Sequence, residues 1–394
     1  MSTYLLTAVC HFGMEAVTKR EIYDLGYEIE AVLTGRVKFL ADAEGIVRAN
    51  MFLRTPERIL LELGFQHVET FEELFESVYS LPWGDFIPAD GAFPVSKVTT
   101  LRSALFSIRD IQAITKKAIV EQLKKVHKTT VLPETGAVYP VTVSIMNDTA
   151  TFSLDTTGPS LHRRGYRRYV SKAPLSETLA ASIIQLSPYN AGRALADPFC
   201  GSGTIPIEAA MMAMNIAPGI KRKFDSMNWR NLIPPREWVL IREEAYDAVE
   251  KNPEIDIQAF DIDPRILRAA RENAAAAGVA EVIHFQQRDI NDFSTSKKYG
   301  FMITNPPYGK RLADTDAVHG LYEKIGEIIR MNPTWSFFIL SAYSRCTKAI
   351  GRESTKNRKV YSGMLKTYLH QYMGEKPHKS RPVDKAATDR EPSA

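Results

Sequence analysis

From residue 174 onward the chain alternates short apolar runs with stretches of helical period, and each of the first four runs stops on a polar side chain. Strand-like segments at 193–197, 255–260, 282–287 and 301–304 lead into Asp197, Asp261, Asp289 and Asn305. Helix-like segments at 176–187, 205–215, 264–277 and 321–330 separate them, and a strand at 335–340 with an antiparallel pair inside 359–372 completes the series. Alternation at this spacing predicts an α/β fold with a doubly wound, mostly parallel sheet. Such a sheet collects its ligands at the carboxyl ends of the strands, where the winding reverses.

Upstream the order differs. Strand-like 4–9, helical 14–25, strand-like 27–33 and 37–40, helical 44–53 and strand-like 59–65 follow the split βαββαβ order of a ferredoxin-like α+β unit. A helix at 71–79, a strand at 93–99, a long helix at 107–127 and a hairpin turned at Asn147-Asp148 come next. On the long helix Ile111, Ile114 and Ala118 share one face, while Lys116 and Lys117 fall on a charged one. The chain therefore reads as units at 1–66 and 67–160, a larger domain at 161–376, and a charged, proline-containing tail at 377–394 expected to be disordered.

Composition narrows the class. A net charge of +4 on 394 residues permits a nucleic-acid partner without requiring one, so the placement of charge must carry that argument. Residues 161–172, Leu-His-Arg-Arg-Gly-Tyr-Arg-Arg-Tyr-Val-Ser-Lys, hold arginines interleaved with tyrosines and no acid. That pattern suits phosphate binding and stacking on unpaired bases, making Arg163, Arg164, Arg167 and Arg168 candidate RNA contacts, with Lys116 and Lys117 as weaker ones. Three scattered cysteines and eight histidines without ligand spacing predict neither a disulfide framework nor a metal site. The chain carries no cleavable leader pattern and no apolar run long enough to span a bilayer, so a cytoplasmic protein with no membrane partner is expected.

Four stations could carry chemistry. Asp197-Pro198-Phe199-Cys200-Gly201-Ser202-Gly203-Thr204 joins a strand to a helix, with glycines that let the backbone approach a ligand and a helix start that aims N–H groups at it. It lacks both the third glycine of a dinucleotide fingerprint and the Gly-Lys-Ser/Thr of a P-loop. Cys200 reads as a small packing residue, since no base lies near it in sequence. Asp261 stands where an acid takes ribose hydroxyls, while Asp263, just before Pro264, reads as a helix N-cap. Asp289 fits either an acceptor for an adenine amine or a turn former. Asn305-Pro306-Pro307-Tyr308 places a side-chain amide oxygen and the Pro306 carbonyl where both could hold the N–H bonds of a planar amine, with Tyr308 to stack on the base. Taken alone, that tetrapeptide also reads as a turn with a surface tyrosine.

Together these residues resemble the amino-group branch of the class I S-adenosylmethionine-dependent methyltransferases. The resemblance implies S-adenosylmethionine as cofactor, held by Asp197, Pro198, Cys200, Gly201, Ser202, Gly203, Thr204, Asp261 and Asp289, with catalysis by Asn305, Pro306, Pro307 and Tyr308. Further motifs narrow it. Asn215-Ile216-Ala217-Pro218-Gly219, the insertion bearing Phe224 and Trp229, and Pro174-Leu175-Ser176-Glu177-Thr178 are similar to the subgroup that methylates the N2 amine of guanine in large-subunit (23S) ribosomal RNA. Residues 67–160 resemble a THUMP domain, an RNA-binding module. The implied partner is large-subunit rRNA or an assembly intermediate. The bacterial bifunctional enzyme of this subgroup carries a second methyltransferase domain for which this chain leaves no room, so only the guanine-N2 half is implied. Three alternatives stay open: a DNA adenine-N6 methyltransferase, a glutamine-amide methyltransferase, and a non-catalytic RNA-binding ribosome-assembly factor.

Overall fold

The computed structural model describes residues 3–168, 175–251, 253–308, 315–363 and 365–376. The tail expected to be disordered, and the connector beyond Arg168, lie outside them. Two seven-stranded sheets organise the chain.

The first sheet begins with β1 (Tyr4–Cys10), α1 (Glu15–Asp24), β2 (Glu28–Leu33), β3 (Arg36–Ala41), α2 (Ala43–Phe52) and β4 (Pro56–His67). It continues with α3 (Phe71–Tyr79), α4 (Trp83–Phe86), β5 (Val95–Leu101), α5 (Ile108–Val126), β6 (Val141–Met146) and β7 (Thr149–Asp155). The order is β2-β3-β1-β4-β7-β6-β5. Sequence reading expects two separate units here, and the structure joins them in one sheet. The joint is the long strand β4, which pairs with β1 from Leu5↔Glu62 to Cys10↔Pro56 and with β7 from Leu60↔Asp155 to His67↔Thr149. Local signals set the details. Thr70 and Glu73 close a capping box on α3. Asn147 and Asp148, at φ +49° and +60°, make the two-residue turn whose twist suits a hairpin.

The second sheet follows α6 (Glu177–Leu186) and is built from β8 (Leu195–Asp197), α7 (Thr204–Ala213), α8 (Pro235–Asp247), β9 (Ile257–Asp261), α9 (Pro264–Ala277), β10 (Ile283–Gln287) and β11 (Phe301–Thr304). Then come α10 (Thr315–Met331), β12 (Ser336–Ser341), α11 (Cys346–Ile350), β13 (Lys356–Ser362) and β14 (Leu365–Tyr372). The order β10-β9-β8-β11-β12-β14-β13 is parallel from β10 to β12, and β14 and β13 are antiparallel. The winding therefore reverses between β8 and β11. As the sequence suggests, α9 starts at the N-cap Asp263, which accepts from the Arg265 N–H, and it ends at Gly278, φ +84°. No helix among the described residues is long and apolar enough to cross a membrane.

The two sheets are locked together, and the insertion between α7 and β9 supplies much of the lock. Trp229 is fully buried, stacks on Tyr139 at 4.8 Å and donates from Nε1 to the Val138 carbonyl at 2.8 Å. Gly219 donates to the Met51 carbonyl, and a Cβ there would come within 2.8 Å of the Asn50 carbonyl oxygen, so only glycine permits this approach. Arg48 makes a bidentate pair with Glu244 at 2.7 and 2.6 Å. Glu57, at the start of β4, meets His11, Ser160 and His162, and Thr178, which come from three different segments. One continuous apolar core runs from Leu6 and Ile59 through Trp229 to Leu195 and Ile303.

The connector corrects the sequence reading of its arginines. Arg164 is 3% exposed: it donates to the carbonyls of Leu161 and Arg54 and lies 3.5 Å from the buried Glu208 carboxylate, which also accepts from Tyr166 at 3.1 Å. Arg167 donates to the Leu175 carbonyl at 2.8 Å and Thr204 Oγ1 at 3.0 Å and pairs with Glu177 at 3.0 Å. Both guanidinium groups are committed to joining the two halves and are not free to meet phosphate. Only Arg163 and Arg168 of the four are exposed. Lys116 is likewise engaged, by Glu134 at 2.7 Å, the Phe93 carbonyl at 3.2 Å and the Phe93 ring. Lys117 remains exposed.

Removing one partner of a buried pair strands the other charge, which costs about 3–5 kcal/mol. Arg164→Ala should therefore lower the free energy of unfolding by that much, while Arg163→Ala should stay within about 0.5 kcal/mol of the parent. Denaturant titration of the two variants checks this, and equal stabilities would contradict the assigned burial.

Candidate active site

A cavity of about 1180 Å³ opens along the carboxyl edge where β9, β8 and β11 end. Its walls include Asp197, Pro198, Cys200, Gly201, Ser202 and Thr204 from the loop after β8, with Asp261, Asp289, Asn305, Pro306, Pro307 and Tyr308. The polar strand ends read from the sequence thus converge on one cleft.

Asp197 is 1% exposed, and its Oδ1 accepts from Thr304 Oγ1 at 2.6 Å and from the Phe199 N–H at 3.2 Å. Burial pushes its carboxyl up to about 7, the nearby Asp261 charge adding to the shift while those two hydrogen bonds oppose it. Asp261 accepts from the Gly201 N–H with one oxygen and from the Asp263 N–H with the other, both at 3.0 Å. A carboxylate offers roughly four lone-pair sites, so further acceptor capacity remains for a ligand. Neither aspartate has an ion-pair partner among the described residues, and the two charges share one wall. That wall of the cleft therefore favours a cation, while Arg288 lines the cavity beside Asp289.

Gly201 sits at φ +53°, and a Cβ built on it meets nothing within 4 Å, which leaves the backbone bare for a ligand. Gly203 is different. At φ +88° it faces α9, where an added Cβ would lie 3.3 Å from the Ala270 Cβ and 3.1 Å from Ile207 Cδ1, and it does not line the cavity. Its place among the cofactor contacts is corrected to close packing of α7 on α9. Asp289 lines the cavity and also accepts from the Asn291 N–H at 2.8 Å, so both of its sequence readings have a physical basis. Burial pushes the Cys200 thiol up, which makes it a lining group rather than a nucleophile.

Asn305 follows β11 directly, and its side-chain Oδ1 is buried without a hydrogen-bond partner among the described residues. An orphaned acceptor of this kind costs about 1–3 kcal/mol and calls for a ligand that donates. Pro306 is buried, Pro307 exposed, and Tyr308 half-buried across the cavity mouth. No cis peptide occurs among the described residues, so the tetrapeptide is not a type VI turn. Sequence reasoning missed Thr304, which reads as the last residue of an apolar run yet fixes Asp197, and Arg288, which lines the cavity while lying 5.3 Å from the centre of the Phe260 ring. The charge of Arg288 beside Asp289 was the available signal for the second.

S-adenosylmethionine fits this set. Its cationic sulfonium and ammonium suit a wall with two unpaired carboxylates, Asp261 would hold its ribose hydroxyls, and the bare Gly201 backbone leaves room for its bulk.

Comparisons with known proteins agree. Residues 164–371 match the model of an RMKL-like methyltransferase domain, 5–60 an RlmL ferredoxin-like domain and 68–155 a THUMP domain. YpsC of Bacillus subtilis (strain 168), whose name proposes an RNA methyltransferase, is 42% identical over 94% of this chain and 96% of its own. The ribosomal RNA large subunit methyltransferase K/L of Cellvibrio japonicus (strain Ueda107) is 32% identical over 92% of this chain, and the match spans about half, 50%, of that enzyme's length. Two solved structures superpose closely. SMU.472, whose description proposes a methyltransferase and whose structure holds S-adenosylhomocysteine, has TM-score 0.90 and 40% identity, covering 96% of this chain and 100% of that one. A protein of Listeria monocytogenes str. 4b F2365, described as a predicted N6-adenine-specific DNA methylase, has TM-score 0.89 and 41% identity, covering 95% and 97%. The chain belongs to the RMKL-like family of S-adenosylmethionine-dependent RNA methyltransferases, with an RlmL-type ferredoxin-like domain and a THUMP domain ahead of its catalytic domain.

Proposed function

We propose that this chain methylates the exocyclic N2 amine of a guanosine in 23S ribosomal RNA. The observation that carries the reading is the buried, unpartnered Asn305 Oδ1 at the cavity wall, next to the Pro306 carbonyl. An aromatic amine has its lone pair drawn into the ring and is a poor nucleophile. Two fixed acceptors on its N–H bonds return electron density to nitrogen and aim it, which is positioning with electrostatic stabilisation rather than covalent catalysis. Tyr308 stacks on the target base, which leaves its helix or loop to enter. S-adenosylmethionine supplies the electrophilic methyl. Asp261 takes the ribose hydroxyls, Asp289 the adenine amine, and Asp197 faces the cationic end.

Large-subunit rRNA is favoured by the RlmL-type ferredoxin-like domain and by the name of the K/L relatives, and guanine N2 by the resemblance of Asn215-Ile216-Ala217-Pro218-Gly219 to the subgroup that methylates that amine. The Listeria protein's description keeps adenine in DNA as the second reading, since the amine clamp suits either base. The deciding experiment offers purified protein and labelled cofactor to 23S rRNA lacking its native methylation and to duplex DNA, with the modified nucleoside identified by mass spectrometry. N2-methylguanosine in rRNA is expected. N6-methyladenine in DNA would overturn the reading, and label in neither despite RNA binding would favour an assembly factor.

Three outcomes follow from the residue roles. Asn305→Ala should reduce kcat by about 10²–10³-fold with cofactor affinity retained, read by single-turnover kinetics and calorimetry. A cation entering beside Asp197 favours its ionised form and releases the proton that the carboxyl holds below about pH 7. Cofactor affinity should therefore rise with pH by up to about tenfold per unit and level off above about 7. Asp197→Asn should flatten that profile. Neutralising the exposed pair Arg163 and Arg168 should reduce the slope of log affinity for single-stranded RNA against log salt by roughly 0.7 for each phosphate no longer neutralised. An unchanged slope would place the RNA elsewhere.

A further inference from the structure

The hairpin β13–β14 carries a surface that the active site does not use. Its register sets Lys359 opposite Tyr368 and Tyr361 opposite Lys366. Directly paired residues of an antiparallel ladder share a face, as do residues two apart on one strand, so lysine and tyrosine alternate in both directions on a single face. Lys359 Nζ lies 5.1 Å from the centre of the Tyr361 ring and 5.9 Å from that of Phe12, and Lys366 Nζ lies 5.3 Å from that of Tyr368. Phe12 meets Tyr361 edge-on at 5.9 Å. Phe12 belongs to the loop after β1, and Arg358 pins that loop by donating to the Gly13 carbonyl at 2.6 Å. The surface thus spans both halves of the molecule.

Both lysines are exposed, Phe12 is 43% exposed, and the two tyrosines are partly so. The lysine ion pairs among the described residues belong to Lys38, Lys116, Lys297 and Lys324, which leaves Lys359 and Lys366 uncompensated. Position matters as much as composition. Ser341 pairs with Tyr368, and Thr304 pairs with Ile339. Tyr368 therefore stands at the same carboxyl edge as Asn305, two strands away, or about 10 Å at ~4.8 Å per strand.

We propose that this face is a stacking platform for unpaired nucleotides that flank the target base in the RNA, a proposal that rests on RNA as the substrate. Each base offers a π-face to a ring whatever its identity, and the interleaved lysines meet the phosphates between stacked bases. Lysines on an edge strand also deter sheet-to-sheet pairing. That role needs no aromatic rings left in solvent, and it does not explain Phe12 arriving from the other sheet.

The test uses the full chain with a short unpaired RNA oligonucleotide and the same sequence as a duplex. Fluorescence anisotropy should show affinity for the unpaired RNA falling by roughly 5- to 100-fold for each ring removed in Phe12→Ala and Tyr361→Ala, with Tyr361→Phe close to the parent. Duplex binding should change little. Lys359→Gln with Lys366→Gln should lower the salt slope by about 1.4. In methylation assays KM for RNA should rise while kcat holds. Photo-crosslinking of a 4-thiouridine RNA to the unmodified protein gives a readout free of any folding effect, with crosslinks expected in β13–β14.

Unchanged affinity in a folded Phe12→Ala/Tyr361→Ala protein, or crosslinks confined to the N-terminal sheet, would overturn the proposal and leave the face to a protein partner. A chain that binds unpaired RNA here yet methylates none would refute the RNA-methylation reading and, with it, the flanking role, leaving only an RNA-binding face. A chain that methylates RNA with KM untouched by the variants would overturn this proposal while the RNA-methylation reading stands.

Discussion

A single side-chain hydrogen bond, Thr304 Oγ1 to Asp197 Oδ1 at 2.6 Å, closes the second sheet where its winding reverses. The backbone ladder between β8 and β11 covers Phe301↔Leu195 and Met302↔Ala196. Beyond it, the residues that follow the two strands line the cavity. The bond joins the two strands just before them. It orients the buried Asp197 carboxylate and sets where β11 hands over to Asn305. The Asp197 carboxylate and the Asn305 amide are thereby referred to one point of the scaffold.

The two carboxylates of the cavity wall share a logic. Asp197 sits at the edge of ionisation because burial disfavours its charge and Asp261 is near. Each unpaired charge lowers the stability of the empty site and is relieved by a ligand of opposite sign. The orphaned Asn305 oxygen does the same with a hydrogen bond in place of a charge. The site holds strain that its reactants remove, as expected of a surface complementary to bound species rather than to water.

Around this centre, the insertion and the connector make the two sheets one body. Trp229 on Tyr139, Gly219 on Met51, and Arg164 between Arg54 and Glu208 all join residues far apart in sequence. Together they hold the THUMP region at a set distance from the catalytic edge. The Arg167 bond to Thr204 extends this lock to the first residue of α7, which follows the glycine loop at the cavity wall.

The order of elements along the chain, the cap Asp263, the Asn147-Asp148 turn and the placing of Asp197, Asp261, Asp289 and Asn305 at one carboxyl edge were legible in the sequence, because each depends on period, backbone preference or position at a strand end. Other features were not. Arg163 and Arg164 are the same residue type one position apart, yet one is exposed and the other buried against Glu208. Gly201 and Gly203 flank one serine, yet one leaves its backbone bare and the other packs on Ala270. Thr304 looked like the end of an apolar run. The sharing of β4 by two units, the clamp around Trp229 and the lysine–tyrosine face completed by Phe12 likewise arise from partners distant along the chain. The sequence by itself determined what is local, namely the elements, their order and the polar groups at their ends. Only the tertiary structure decided which charges are neutralised inside and which remain for a ligand, because a side chain's worth depends on what long-range packing sets beside it.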